Sequence, residues 1–385
     1  MTIRAKILFL LISFIINLSY AQTKHIINLK TRTERLPFGL TEEVPLLSPR
    51  IGLALSGGGA RGLSQIGVLR ALEEAGIQID LIAGTSIGSI VGGFYSSGYS
   101  VTDLDSVAIN TDWADLLSIG GTISRTELFI DQKVTEDRAI FTLRLDGLKP
   151  ILPTSFNEGV KFSNYLTLQT LLAPIHAKDS FDDLLIKFRA VCTDLVSGNP
   201  VIIDNGSLGR AMRASSSVTF FLSPVKQDDL TLVDGGLVEN IPAKTVKDMG
   251  ADIIIAVNTT SPLHKLDDLD VPWLVVDQTV SIPMKRLDSE MLSRADIVIV
   301  PNIENSSATD FTNIDTLIIK GYKSALRHIQ IIKAKIDSFT FGQIKHENFY
   351  IGNIIFDRDT SRLINSFYNK YSSVDSVSNS TILLD

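Results

Sequence analysis

Cysteine is almost missing from this chain of 385 residues: Cys192 is the only one. No internal disulfide can therefore form, and the apolar stretch Phe188–Leu195 around Cys192 marks it as a buried thiol. Histidine is scarce too, with five in the whole chain. Runs of basic residues are absent, and the formal net charge is −7. That balance provides no electrostatic footprint for nucleic acid or anionic lipid, so nucleic acid is excluded as a partner and any membrane contact must be mostly apolar. The longest N-terminal apolar run, Ile7–Ile16, is too short to span a bilayer. There is no Gly-Lys-Ser or Gly-Lys-Thr to make a phosphate-binding P-loop. The acidic residues Asp267, Asp268 and Asp270 lack the glycine and terminal glutamate of a calcium loop and read as a solvated turn. With neither metal nor cofactor signalled, the chemistry falls to hydroxyls, carboxylates or imidazoles.

What is present is apolar material for a large core, 44% of the residues. Arg4 and Lys6, the run Ile7–Ile16, and small residues at Ser19 and Ala21 predict a secretory signal over residues 1–21, cleaved after Ala21; the alternative is a short anchor that is retained. Residues 22–49, polar and punctuated by Pro37, Pro45 and Pro49, read as an arm. Strand-like and helical stretches then alternate: strand Ile51–Ser56, helix Leu63–Ala75, strand Leu81–Thr85, helix from Ile87. This order implies parallel strands joined by crossover helices. Later strands are expected at Lys187–Thr193, Val201–Ile203, Leu230–Val233, Ile253–Asn258 and Ile297–Pro301. Helices are expected over Ser155–Leu172 and, with strong amphipathic spacing, Asn313–Ile336. The stretch Val218–Leu222 reads as buried helix packing, with an acyl groove as the alternative. Residues 50–340 thus form one α/β domain, followed by an extension over 341–385 that opens with the strand-like run Phe349–Phe356.

Three constellations carry the chemistry. Gly84-Thr85-Ser86-Ile87-Gly88 lies where a strand meets a helix, so a tight bend presents the Ser86 hydroxyl at a helix N-terminus, where the dipole favours negative charge. The competing reading is a serine N-cap between packing glycines. Ser56-Gly57-Gly58-Gly59-Ala60-Arg61-Gly62 follows the first strand, and such a loop leaves backbone N–H groups converging on one small space. Its Gly-x-Gly-x-x-Gly spacing also suits a dinucleotide, but the second strand ends in Gly84-Thr85-Ser86 and places Asp80 at the wrong end for a ribose. A serine nucleophile needs a proton acceptor. None of His25, His176, His264, His328 and His346 sits just beyond a strand in a glycine-rich turn, although His176 and His264 stay open as bases. Asp234, in Leu232-Val233-Asp234-Gly235-Gly236, ends an apolar strand and suits direct proton acceptance if it is partly buried; alone, Asp-Gly-Gly is simply a turn.

Taken in this order, the three elements resemble the patatin-like phospholipase family over roughly Arg50 to Pro301. Further matches are the Phe188–Leu195 strand, Arg213-Ala214-Ser215 at a helix start, and Asn240-Ile241-Pro242. The resemblance implies a three-layer α/β/α sandwich with a central, mostly parallel sheet. It implies a Ser86–Asp234 dyad without histidine and an oxyanion hole from Gly57, Gly58 and Gly59, and it leaves Arg61 either structural or anion-facing. The substrate it implies is a lipid or another acyl ester, with no cofactor. The C-terminal run resembles the opening of a POTRA module, as in exported bacterial relatives, with a packed terminal hairpin as the alternative. The compartment expected is periplasm, outer membrane or extracellular space. The competing functional class is a non-catalytic binding or assembly domain that keeps the fold.

Overall fold

Side chains alternate across a strand, so a strand that is apolar at every position is covered on both faces. In the computed structural model β1 (Ile51–Leu55), β2 (Leu81–Thr85) and β7 (Ile253–Val257) are buried throughout. The structure describes residues 48–117, 144–146, 149–151, 157–219, 221–266, 272–304 and 306–342, all of which belong to one unit, Leu46–Lys345. Its other principal elements are α1 (Ser64–Glu74), α2 (Ile87–Ser96), α3 (Val101–Asn110), α4 (Val160–Leu172), β3 (Lys187–Asp194), β4 (Pro200–Ile203), α5 (Leu208–Ser215), β5 (Val225–Gln227), β6 (Leu230–Asp234), α6 (Gly236–Glu239), α7 (Ala243–Asp248), α8 (Pro272–Leu292), β8 (Ile297–Ile299), α9 (Ile314–Leu326) and α10 (Ile329–Gly342).

The strands β8-β7-β1-β2-β3 pair in parallel, while β6 and β4 run antiparallel to β3, and β5 antiparallel to β6. The sheet is therefore mixed: parallel where helices cross over between strands, antiparallel where short connections return the chain. Alternation divides the core in two. Leu53 and Leu55 of β1, with Ile253, Ile255 and Val257 of β7, join the large cluster that includes Ile66 and Leu69 of α1 and Ile90 and Phe94 of α2. Ala54, Ala83, Ile254 and Ala256 face the opposite way, onto Val246 of α7 and Met291 of α8. Helices thus cover both faces in a three-layer α/β/α sandwich. Small residues on the second face let α7 lie close to the sheet, where a Cβ on Gly52 would come within 2.2 Å of Val246 Cγ1.

Several expected elements are redrawn. The helix expected from Ser155 begins only at Val160, because the Asn157 carboxamide accepts the Gly159 N–H at 2.6 Å and Gly159 is left-handed at φ 75°. Arg213-Ala214-Ser215 closes α5 and does not start a helix. The single helix expected over Asn313–Ile336 is two, α9 and α10. Here His328 N–H turns to Ala325 O at 2.8 Å, and its Nδ1 lies 2.9 Å from Ser324 O. Val218 and Phe221 are about half exposed and not buried packing, although Leu222 is buried. The stretches 1–47 and 343–385, which include the expected signal, arm and POTRA-like start, lie outside the described residues, as do Asp267, Asp268 and Asp270.

Helix α1 crosses α9 at a glycine on each side: a Cβ on Gly67 would lie 1.9 Å from Ile318 O, and one on Gly321 1.8 Å from Ser64 O. Backbone cannot yield as a side chain can, so Gly67→Ala and Gly321→Ala should each cost about 1–3 kcal/mol or more. Thermal melts of each variant against the wild type measure this; an unchanged midpoint would contradict the close crossing.

Candidate active site

The bend after β2 is strained. Ser86 has φ 55° and is one of two non-glycine residues with positive φ among the described residues, the other being Asp228. Such a conformation costs about 1–3 kcal/mol and persists only where its surroundings fix it. The flanking glycines are fixed by close approach: a Cβ on Gly84 would meet Gly88 O at 2.3 Å, and one on Gly88 would meet Leu55 O at 2.3 Å. Hydrogen bonds hold the rest of the bend. Thr85 Oγ1 donates to Glu239 O at 2.7 Å, Ser86 N–H donates to Ser215 Oγ at 3.0 Å, and Ser89 Oγ donates to Ser86 O at 2.6 Å.

Sheet register brings Asp234 to this bend. On β3, Val191 pairs with Thr85 of β2, and the next residue, Cys192, pairs with Asp234 of β6. β4 occupies the opposite edge over Ala190–Thr193, so β2 and β6 meet end to end along one edge of β3. The chain leaves β2 at Ser86 where β6 delivers Asp234. The Ser86 side chain lies beside the Asp234 carboxyl and lowers its pKa, and Asp234 Oδ1 accepts the Gly236 N–H at 2.7 Å. Both residues are nearly buried, at 8% and 9% exposure. Burial pushes the Asp234 carboxyl up to about 6, against the Ser86 hydroxyl and the Gly236 amide, which lower it. Beneath it, burial and then the charge of Asp234 push the Cys192 thiol up, which keeps Cys192 neutral.

The glycine-rich loop forms the third wall. The space for a Cβ on Gly57 lies 3.3 Å from Ser86 Cβ and 2.4 Å from Asn240 Oδ1, so only glycine brings this backbone against the serine. Gly57 N–H, however, donates to Asn240 O at 3.1 Å. That corrects the expected three-residue oxyanion hole: the Gly57 amide is already satisfied. Gly58 and Gly59, at φ 153° and 58°, have N–H groups with no hydrogen-bond acceptor among the described residues. Arg61 is 5% exposed and donates to the carbonyls of Thr259, Ile303, Ser306 and Thr260 at 2.8–3.1 Å. Its guanidinium is a brace between this loop and those after β7 and β8. Burial pulls its pKa down, but an arginine so bonded stays charged.

A family model described as patatin-like phospholipase matches residues 53–247, a stretch that contains the loop, the bend and Asp234. The chain belongs to the patatin-like phospholipase family. Among its relatives, lysophospholipase NTE1 of Scheffersomyces stipitis is 28% identical over 305 residues, covering 73% of this chain and 18% of the relative. Lysophospholipase NTE1 of Candida glabrata is 32% identical over 233 residues, covering 59% of this chain and 12% of the relative. The chain thus spans less than a fifth of the length of these curated relatives. Among solved structures, VipD from Legionella pneumophila has a TM-score of 0.40 at 14% identity, covering 74% of this chain and 67% of that one. Human GIVD cytosolic phospholipase A2 has a TM-score of 0.37 at 11% identity, covering 77% and 60%.

In this patatin-like domain, His176 Nε2 lies 3.3 Å from Leu171 O at the end of α4, the His264 backbone N–H donates to Gln278 Oε1 at 2.9 Å, and His328 Nδ1 lies 2.9 Å from Ser324 O between α9 and α10. The Asp234 carboxyl is bonded by the Gly236 N–H and has the Ser86 hydroxyl beside it. No group of His, Cys, Asp and Glu that would hold a metal ion occurs among the described residues. Two contributors had no role legible in the sequence. Asn240 links the glycine-rich loop to the Asp-Gly-Gly turn, and Thr259 ties Ser56 and Gln65 together beneath the loop, with hydroxyl contacts of 3.0 and 3.1 Å. Both act through contacts distant in sequence, which no local motif encodes.

A carboxyl whose native pKa is raised favours its protonated form on folding. The cost is therefore absent below the unfolded value near 4, grows as pH rises through about 6, and then levels off. Asp234→Asn removes it. The variant should be more stable than the wild type by about 2–3 kcal/mol at neutral pH and equal to it near pH 4. Denaturant unfolding at the two pH values tests this; a variant less stable at neutral pH would contradict the buried, costly carboxylate.

Proposed function

We propose that the domain is a serine acyl-ester hydrolase acting on lipid esters, with Ser86 as nucleophile and Asp234 as its base. One observation carries this reading: sheet register brings Ser86, whose backbone is strained at φ 55°, beside the buried Asp234 carboxyl, which burial pushes up to about 6. A carboxylate at that value is ionised at neutral pH yet basic enough to take a proton as attack proceeds. Ser86 Oγ adds to the acyl carbonyl while its proton passes to Asp234. The oxyanion is held by the N–H groups of Gly58 and Gly59, supported by the N-terminus of α2. Collapse expels the alcohol, which takes the proton back from the Asp234 carboxyl, and leaves an acyl-serine. Asp234 then deprotonates a water that releases the fatty acid and restores the hydroxyl.

A lipid substrate is supported by the family and by relatives described as lysophospholipases. Among the described residues no helix is long and apolar enough to cross a membrane, and with a net charge of −7 contact with a lipid surface is proposed to be apolar. The sequence of residues 1–21 supports export, and the run Phe349–Phe356 supports the POTRA-linked variant of this reading.

A fluorogenic medium-chain ester assay tests the dyad. Ser86→Ala and Asp234→Ala should each lower kcat by about 10³-fold or more, and a fluorophosphonate probe should label the wild type and not Ser86→Ala. Equal turnover in all three proteins would remove the enzyme reading. The pH profile of kcat/KM should rise through about 6 as Asp234 ionises and hold level above it; a profile flat from pH 4 to 8 would exclude Asp234 as the base.

A further inference from the structure

The proposed catalytic pair sits at the ends of two strands, Ser86 just after β2 and Asp234 at the last position of β6, yet both backbones are tied to a third segment, Arg213–Ser217, at the end of α5. Ser215 is fully buried. Its hydroxyl accepts the Ser86 N–H at 3.0 Å and donates to Val191 O at 2.6 Å, so both its capacities are used. Two residues on, Ser217 O accepts the Asp234 N–H at 3.0 Å. The segment is itself anchored. Arg213, 3% exposed, donates to Ser217 Oγ and to Ser223 O at 3.1 Å, and Ser217 Oγ donates to Arg213 O at 2.9 Å. Val191, which receives the Ser215 hydroxyl, is the residue on β3 that pairs with Thr85. The Ser215 side chain therefore spans from the strand that aligns the nucleophile to the nucleophile's own amide.

We propose that Ser215 is a positioning residue for the nucleophile: its hydroxyl locks the strained Ser86 backbone so that Ser86 Oγ points at Asp234, while the Ser217 carbonyl fixes Asp234 from the same segment. The physical case is that Ser86 holds a conformation of high energy at φ 55°, and a residue so placed relaxes if a constraint is lost. Without Ser215 Oγ the Ser86 N–H would be buried with no acceptor, a further incentive to move. Small displacements of a nucleophile have large kinetic effects. This proposal rests on the Ser86–Asp234 reading above.

The test is Ser215→Ala beside Ser216→Ala, a control at a neighbouring buried hydroxyl that bonds only carbonyls of its own helix, Met212 O at 2.8 Å and Arg213 O at 3.3 Å. Turnover is measured per site titrated with a fluorophosphonate, so that unfolded protein is not counted. Ser215→Ala should lower kcat per titrated site by about 10- to 100-fold with KM little changed. Its acid limb in kcat/KM should move to higher pH, because a displaced Ser86 side chain no longer lowers the Asp234 pKa. Ser216→Ala should lose stability but keep both kcat and the limb. Ser215→Cys, a weaker donor and acceptor, should fall between wild type and Ser215→Ala and serves if the alanine variant does not fold. Wild-type kcat and limb in Ser215→Ala and Ser215→Cys, or equal losses in Ser216→Ala, would overturn the proposal. A wild type that neither turns over ester nor labels at Ser86 would instead bring down the dyad reading, and the positioning role with it.

Discussion

The placement of the Ser86 hydroxyl beside the buried Asp234 carboxylate is the constraint on which the rest of the site depends. A carboxylate removed from water is unfavourable unless its lone pairs are met. Here they are met sparingly, by one backbone N–H from Gly236, with the Ser86 hydroxyl alongside. Had the Asp-Gly-Gly turn offered several amides, the carboxyl would be far more acidic and a poor base. The apolar floor works in the same direction. Cys192, directly across the ladder from Asp234, is a small hydrophobe that neither solvates the charge nor competes for the serine. The domain thus carries a destabilising group at its centre, and the large core on the α1–α2 side of the sheet offsets it.

Placing two groups within hydrogen-bond reach requires a rigid frame, and here the frame is the sheet. β2 and β6 abut along one edge of β3, at Val191 and Cys192 in turn. A slip of one residue in either pairing would turn every side chain of that strand to the opposite face, and the core on that face forbids it. The glycine-rich loop has no ladder and is secured by other means: the Asn240 carbonyl on Gly57, a Thr259–Ser56–Gln65 cluster below, and the Arg61 guanidinium across four carbonyls. Ser56, Arg61 and Thr259 lie just beyond strands, and Asn240 lies between α6 and α7. The site is assembled where strands end, and strands supply its precision.

The residues proposed to react, Ser86 and Asp234, each sit in a glycine-containing motif that the sequence displays. Gly84 and Gly88 admit the bend, and Gly57 admits the approach to Ser86. The parallel half of the sheet was legible for a related reason: strands buried on both faces leave continuous apolar runs in the sequence. What stayed hidden depends on partners far along the chain. The antiparallel return of β6 onto β3 has no signature in Leu230–Asp234 alone. The satisfaction of Gly57 N–H by Asn240 O is a contact across most of the domain. The break between α9 and α10 follows from the local bonding of His328, where an uninterrupted apolar stripe suggested one helix. Val218 and Phe221 were misjudged because apolar character alone does not say which side of a turn meets solvent.

The proposed pairing of Ser86 with Asp234 has a structural counterpart in how the neighbouring cations are held. Arg61 is the one basic residue in the glycine-rich loop, and its three nitrogens are committed to carbonyls. Lys285 donates to Thr260 Oγ1 at 2.6 Å and lies 3.5 Å from Asp288. Charge developing on a substrate oxygen therefore has to be met by backbone amides and a helix terminus, which are fixed dipoles. Fixed dipoles need no reorganisation as charge appears, and they do not titrate. A positive side chain near Asp234 would lower its pKa and weaken it as a base. Keeping cations bound elsewhere is thus the same requirement as keeping the carboxylate basic, and the proposed Ser86–Asp234 pair needs both.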